Sequence, residues 1–128
     1  MKKVVIFGVG NFAKLVHSYL KSSPHEVVGF TVNSSMLKES TFLTLPVIPF
    51  ENIDKIFPPK DFCLFIAVGH TNMNKNRAKI FNECKKLGYE LLSYVHPTSI
   101  IGEDVKMGEN CLILENNVIQ PFVTIGDN

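Results

Sequence analysis

The sequence predicts an α/β fold: a small parallel-sheet domain followed by the first coils of a parallel β-helix. Two patterns carry that prediction. In "KVVIFGVGNFAKLVHSYL" an apolar, β-branched run passes through two glycines into apolar residues at helical spacing. Further on, apolar residues return every sixth place at Val95, Ile101, Met107, Ile113, Ile119 and Ile125. A helix returns every three or four residues and a half-buried strand every two, so neither explains a period of six. Three short strands per triangular coil do explain it.

The elements follow in order. Lys3 to Phe7 reads as a strand covered on both faces, being almost wholly apolar. Next comes Gly8-x-Gly10-x-x-Ala13, with Gly8 for the tight turn, Gly10 for close approach of a ligand to the backbone and Ala13 for close packing of helix on strand. Phe12, Leu15, Val16, Tyr19 and Leu20 then keep helical spacing. Exposed amides at the start of that helix suit an anion. A second strand is expected near residues 25–32, ending at Asn33, and residues 34–59 read as irregular and turn-rich. "DFCLFIAVG" reads as a third strand. A helix is expected over residues 71–89, stopped by Gly88, and "ELLSYV" reads as a fourth strand leading into the hexads. Alternating strands and helices imply a three-layer parallel α/β domain. The expected boundaries are 1–94 for that domain and 95–128 for the coils, with His96-Pro97 breaking the pattern between them.

In the hexads, the six-spaced apolar residues are expected to face the coil interior. A second register four places later, Val105, Cys111, Asn117 and Val123, is expected to face inward near the corners. Gly102, Gly108 and Gly126 follow inward positions, where a tight turn is expected.

Composition excludes several classes of protein. The chain has 128 residues, 45% of them hydrophobic, so a sizeable core is available. Its net charge of +1, with both signs interspersed, argues against a nucleic-acid or membrane surface. The three cysteines, Cys63, Cys84 and Cys111, are too far apart for a metal motif and suit a reducing cytoplasm. "MKKVVIFGVG" lacks the long apolar core and small-residue cleavage site of a signal peptide.

The stretch "VHPTSIIGEDVKMGENCLILENNVIQPFVTIGDN" resembles the opening of the left-handed β-helix of bacterial hexapeptide-repeat sugar acetyltransferases. The similar subgroup comprises sialic acid O-acetyltransferases and N-acetyltransferases of nucleotide-linked amino sugars. In these proteins a small Rossmann-like domain precedes the β-helix, so the resemblance covers the whole chain. It implies acetyl transfer from acetyl-CoA to a nucleotide-linked sugar in surface glycan synthesis, in a homotrimer with CoA bound between neighbouring subunits. It also implies a catalytic histidine further along the β-helix. "TIGDN" stops in mid-pattern, so the chain is expected to be the N-terminal portion of such an enzyme, ending before that histidine. No catalytic residue is therefore assigned, and His96, in "VHPT", is not expected to be one.

The expected ligand edge lies beyond the carboxyl ends of the strands. Gly8, Gly10 and Asn11 stand at the first turn, and Asn33 at the end of the second strand. Gly69, His70, Asn72 and Arg77 stand at the tip of the third, where "VGHTNMNKNR" resembles the family pattern Ile-Gly-x-Asn-x-x-Arg. A dinucleotide site favours an acid at the end of the second strand, and the related acetyltransferases commonly carry Asp there. Asn33 takes its place, which weighs against NAD and weakens the fit to a UDP- or dTDP-linked sugar. Blander readings remain open. The glycine turn alone joins strand to helix, and Asn72 is equally a helix N-cap. Three functions follow: a nucleotide-sugar acetyltransferase or a portion of one, a non-catalytic sugar-nucleotide-binding or assembly module, and an NAD-binding oxidoreductase domain.

Overall fold

The structure is a computed structural model that describes residues 2–68 and 75–128. The chain divides into two compact units, Met1–Leu91 and Leu92–Asn128.

The first unit contains β1 (Lys3–Phe7), α1 (Asn11–Lys21), β2 (Glu26–Val32), β3 (Thr41–Phe42), β4 (Leu45–Pro49), α2 (Ile53–Ile56), β5 (Cys63–Ile66) and α3 (Lys75–Lys86). Its sheet has the order β3-β4-β2-β1-β5. β4, β2, β1 and β5 are parallel, and β3 pairs antiparallel to β4. Side chains alternate across β1. Val5 and Phe7 join Leu64, Ile66, Ile53, Phe57, Ile80 and Cys84 in one apolar cluster against α2 and α3. Val4 and Ile6 go the other way, to the layer where α1 buries Ala13, Val16 and Leu20. Leu15, on the opposite side of α1, stays 41% exposed. Tyr89 is fully buried after α3, and its hydroxyl donates to the Phe57 carbonyl at 2.5 Å.

Two expectations for this unit are corrected. Residues 34–59 are not merely irregular, because β4 lies inside the sheet with Phe30 opposite Val47 and Val32 opposite Pro49. Pro49 ends β4 and Pro46 sits next to its start, positions where missing donors are tolerated. "ELLSYV" is not a fourth strand. Leu91 makes a single parallel bridge to Leu64, and the strand continues only at Tyr94–Val95, in the second unit.

The second unit is two coils of a parallel β-helix. Its strands are β6 (Tyr94–Val95), β7 (Ile100–Ile101), β8 (Lys106–Met107), β9 (Leu112–Ile113), β10 (Val118–Ile119) and β11 (Thr124–Ile125). β6 pairs with β9, β7 with β10 and β8 with β11, all parallel. Side chains stack through the same offset of eighteen residues: the Asn116 amide donates to Thr98 Oγ1 at 3.0 Å and the Cys111 amide to Ser93 Oγ at 2.9 Å.

The corners differ from the sequence reading. The left-handed backbone positions are Asp104, Asn110, Asn116, Phe122 and Asn128, six apart, with φ between 54° and 67°. Asp and Asn tolerate that conformation better than other side chains. Gly102 and Gly108 are needed for room instead. An added Cβ would come to 2.7 Å from Pro121 Cα and from the Asp127 amide nitrogen respectively, while Gly126 has open space. The second inward register is also only partly enclosed. Cys111 is buried, but Asn117 and Val123 are exposed. Asn117 turns its amide to the Leu114 carbonyl at 3.0 Å, a corner contact. Of the six-spaced apolar residues, Met107, Ile113, Ile119 and Ile125 are half-buried and Ile101 is 38% exposed. Across the two coils Val95 pairs with Ile113, Ile101 with Ile119 and Met107 with Ile125.

Candidate functional site

Parallel pairing of β1 with β2 brings the two strand ends together, and the Gly8 amide donates to the Thr31 carbonyl at 2.9 Å. Gly8 has φ +125°, and an added Cβ would stand 2.5 Å from the Ala67 carbonyl oxygen. Glycine there is required by the fold. Gly10 is different. Its φ of −94° suits any residue, and among the described residues an added Cβ would meet nothing within 4 Å. It precedes α1 with no side-chain cap, and the first turn of α1 carries no acidic residue. The positive end of the helix therefore lies at Gly10 and the exposed Asn11.

Asn33 follows β2 and is half-buried, and its carbonyl accepts from the Met36 amide at 2.8 Å. Arg77 lies in the first turn of α3, with Nε buried and unpaired among the described residues. Gly69, His70 and Asn72 lie outside the described residues. The structure thus groups Gly8, Gly10, Asn11 and Asn33 at one edge.

Two features of this edge escaped the sequence reading. Val9, Val32, Met36, Leu37, Phe42 and Val47 line a recess of about 370 Å³ with predominantly apolar walls. Val9 is the residue between the two glycines, so the recess opens beside the turn. Its far wall comes from the segment that reads as irregular, and pairing of β4 with β2 places it there. The second feature is Glu51, just past β4. Its carboxylate accepts from the Ser34 amide at 3.0 and 3.3 Å and from Ser34 Oγ at 2.8 Å. The Ser34 hydroxyl foremost, then backbone amides, hold its pKa below the usual carboxylate value.

The described histidines lie elsewhere. His17 is on the body of α1, its ring centroid 5.8 Å from that of Phe30, and desolvation and then Lys21 push its pKa down. His25 precedes β2 at the opposite end of the strand and accepts from the Lys2 amide through Nδ1. Desolvation, the N-terminus and Lys2 lower its pKa. His96 belongs to the second unit, where its Nδ1 accepts from the Thr98 amide at 3.1 Å. The cysteines are free and buried. Burial pushes the Cys63 thiol up to about 11 and Cys84 to about 12, so neither is a thiolate near neutral pH. No cluster among the described residues would hold a metal ion.

A parallel α/β sheet with a glycine turn after its first strand is followed along the chain by two coils of a parallel β-helix. The chain belongs to the PglD N-terminal domain family, which it matches over residues 3–84. Its fold is similar to that of perosamine N-acetyltransferase from Caulobacter crescentus, solved with CoA and GDP-perosamine. The two share 24% identity with a TM-score of 0.80, over 99% of this chain and 58% of that one. It is also similar to the acetyltransferase domain of PglB from Neisseria gonorrhoeae, at 20% identity and a TM-score of 0.79, over 99% of this chain and 60% of that one. That domain has also been solved with acetyl coenzyme A, where the match covers 98% of this chain and 59% of that one. The chain thus spans about three-fifths of the length of these structures. No curated protein matches it.

Proposed function

We propose that the first unit binds a nucleotide-linked sugar, and that the chain is part of an acetyltransferase that moves an acetyl group from acetyl-CoA to that sugar. The diphosphate lies over the Gly8–Gly10 turn at the start of α1, and the base enters the recess beside Val9. In the transfer, a base takes the proton of the sugar's amine or hydroxyl as that group bonds to the acetyl carbon, the carbon–sulfur bond breaks, and the base passes the proton to the leaving sulfur so that CoA departs as its thiol. Both solved relatives are acetyltransferases, one bound to CoA and a GDP-linked amino sugar and the other to acetyl-CoA, which supports this reading. Acetyl-CoA is then the co-substrate of the whole protein, the coils are its trimer-forming part, and the reaction is cytoplasmic. No helix among the described residues is long and apolar enough to cross a membrane.

Gly10 carries the proposal. Neither its backbone conformation nor packing among the described residues demands a glycine there, and it stands at a helix start with no side-chain cap. The test is calorimetric titration with GDP- and UDP-linked amino sugars. Gly10→Val is expected to fold normally and to bind at least tenfold more weakly; full affinity in the folded variant removes the turn from the site.

A further inference from the structure

The edge lacks an acid at the end of β2, yet it has a carboxylate close by. Val32 stands opposite Pro49 in the β2–β4 register, so the residues just past each strand meet. Ser34 holds Glu51 there by its amide and its hydroxyl, one residue beyond Asn33. Val32 and Met36, which bracket Asn33 and Ser34, both line the recess. Glu51 therefore brings a negative charge to the strand end where a dinucleotide fold places its ribose-binding acid, but brings it from the neighbouring strand. A carboxylate accepts about four hydrogen bonds, and this one is exposed to solvent, so capacity remains for a ligand.

We propose that Glu51, oriented by Ser34, accepts hydrogen bonds from the ribose hydroxyls of the bound nucleotide and makes the site selective for ribonucleoside over 2′-deoxyribonucleoside diphosphates. The inference rests on the nucleotide-sugar reading above and narrows its substrate class: uridine or guanosine diphosphate sugars fit, and thymidine diphosphate sugars, whose usual form lacks the 2′-hydroxyl, do not. A purely structural tie between the ends of β2 and β4 would be blind to that hydroxyl.

The probes are UDP, GDP and ADP, each titrated calorimetrically beside its 2′-deoxy counterpart. Whichever base the recess accepts, the ribose form is expected to bind on the order of tenfold more tightly, the scale of a hydrogen bond to a charged group. Glu51→Gln is expected to bring the ratio toward one, the ribose form losing more affinity than its 2′-deoxy counterpart. Equal affinity for both sugars in the unsubstituted protein overturns the proposal without recourse to a variant, as does a ratio that survives in Glu51→Gln. Binding of both forms with equal affinity leaves the nucleotide-sugar reading standing. Failure of every nucleotide to bind overturns both.

Discussion

The two units are held together by different means. In the first, a sheet covered on both sides buries Val4, Val5, Ile6, Phe30, Leu64, Phe65 and Ile66 almost completely. In the second, the six-spaced apolar residues are only partly covered, and order comes from backbone ladders and corner side chains repeating at eighteen residues. The first unit can therefore tolerate irregular connections such as the one before β4, because its core supplies the cohesion. The second has no such reserve, and its geometry depends on each corner allowing the next coil to lie against it.

The largest expected effect strikes the core. Phe30 is fully buried, and its ring meets that of Phe42 edge-on at 4.9 Å, which ties β2 to the hairpin formed by β3 and β4. Phe30→Ala should destabilise the first unit by about 3–5 kcal/mol, a large part of a small domain's stability. Chemical denaturation followed by far-UV circular dichroism measures it. A loss under about 1 kcal/mol would break the comparison by showing that the sheet does not depend on its core.

A smaller effect is expected at a coil corner. Gly102→Ala places a methyl group against the Pro121 backbone, which cannot move aside as a flexible side chain would. Overpacking of this kind costs about 1–3 kcal/mol. Gly126→Ala is the control, since its added carbon meets open space. Hydrogen exchange at the Ile100 and Gly102 amides, which donate to Asn117 and Ile119 across the coils, should accelerate in the first variant and not in the second. Equal protection in both would mean that contact between successive coils is looser than the ladders imply.

How much of this was legible in the sequence differs by element and for physical reasons. The β1–turn–α1 segment declares itself locally, because burial on both faces of β1 selects an unbroken apolar run and the turn selects glycine. The coils declare themselves by repetition. β4 does not, because its two prolines resemble punctuation and only pairing with β2 gives Val47 a buried place. The recess follows from that same pairing. Gly8, Gly10, Asn11 and Asn33 could be read as one edge because strand ends in a parallel sheet gather on one side. Glu51 could not, since seventeen residues separate it from Ser34 and no local pattern links them. The corner residues left a usable trace: Asp104, Asn110 and Asn116 keep a six-residue spacing of the types that tolerate positive φ.

Phe122 breaks that corner series, and it sharpens the comparison at the lowest energy. Its φ is 67°, in the same left-handed region as Asn116 at 57°, but a bulky side chain is a poor occupant of it. Its ring is 71% exposed, so burial returns little for the strain. The conformation is imposed by the coil: the Phe122 amide donates to the Glu103 carbonyl at 2.8 Å, and Pro121 before it lies against Gly102. Phe122→Asn should keep that hydrogen bond and relieve part of the left-handed penalty, raising the stability of the second unit by about 1 kcal/mol. Denaturation monitored by exchange at the Lys106 and Gly108 amides, which bond to the segment just after Phe122, reads the gain directly. A loss of stability instead would show that the exposed ring is held by a contact that offsets its strain, and would make that corner a place where packing, as in the first unit, overrides backbone preference.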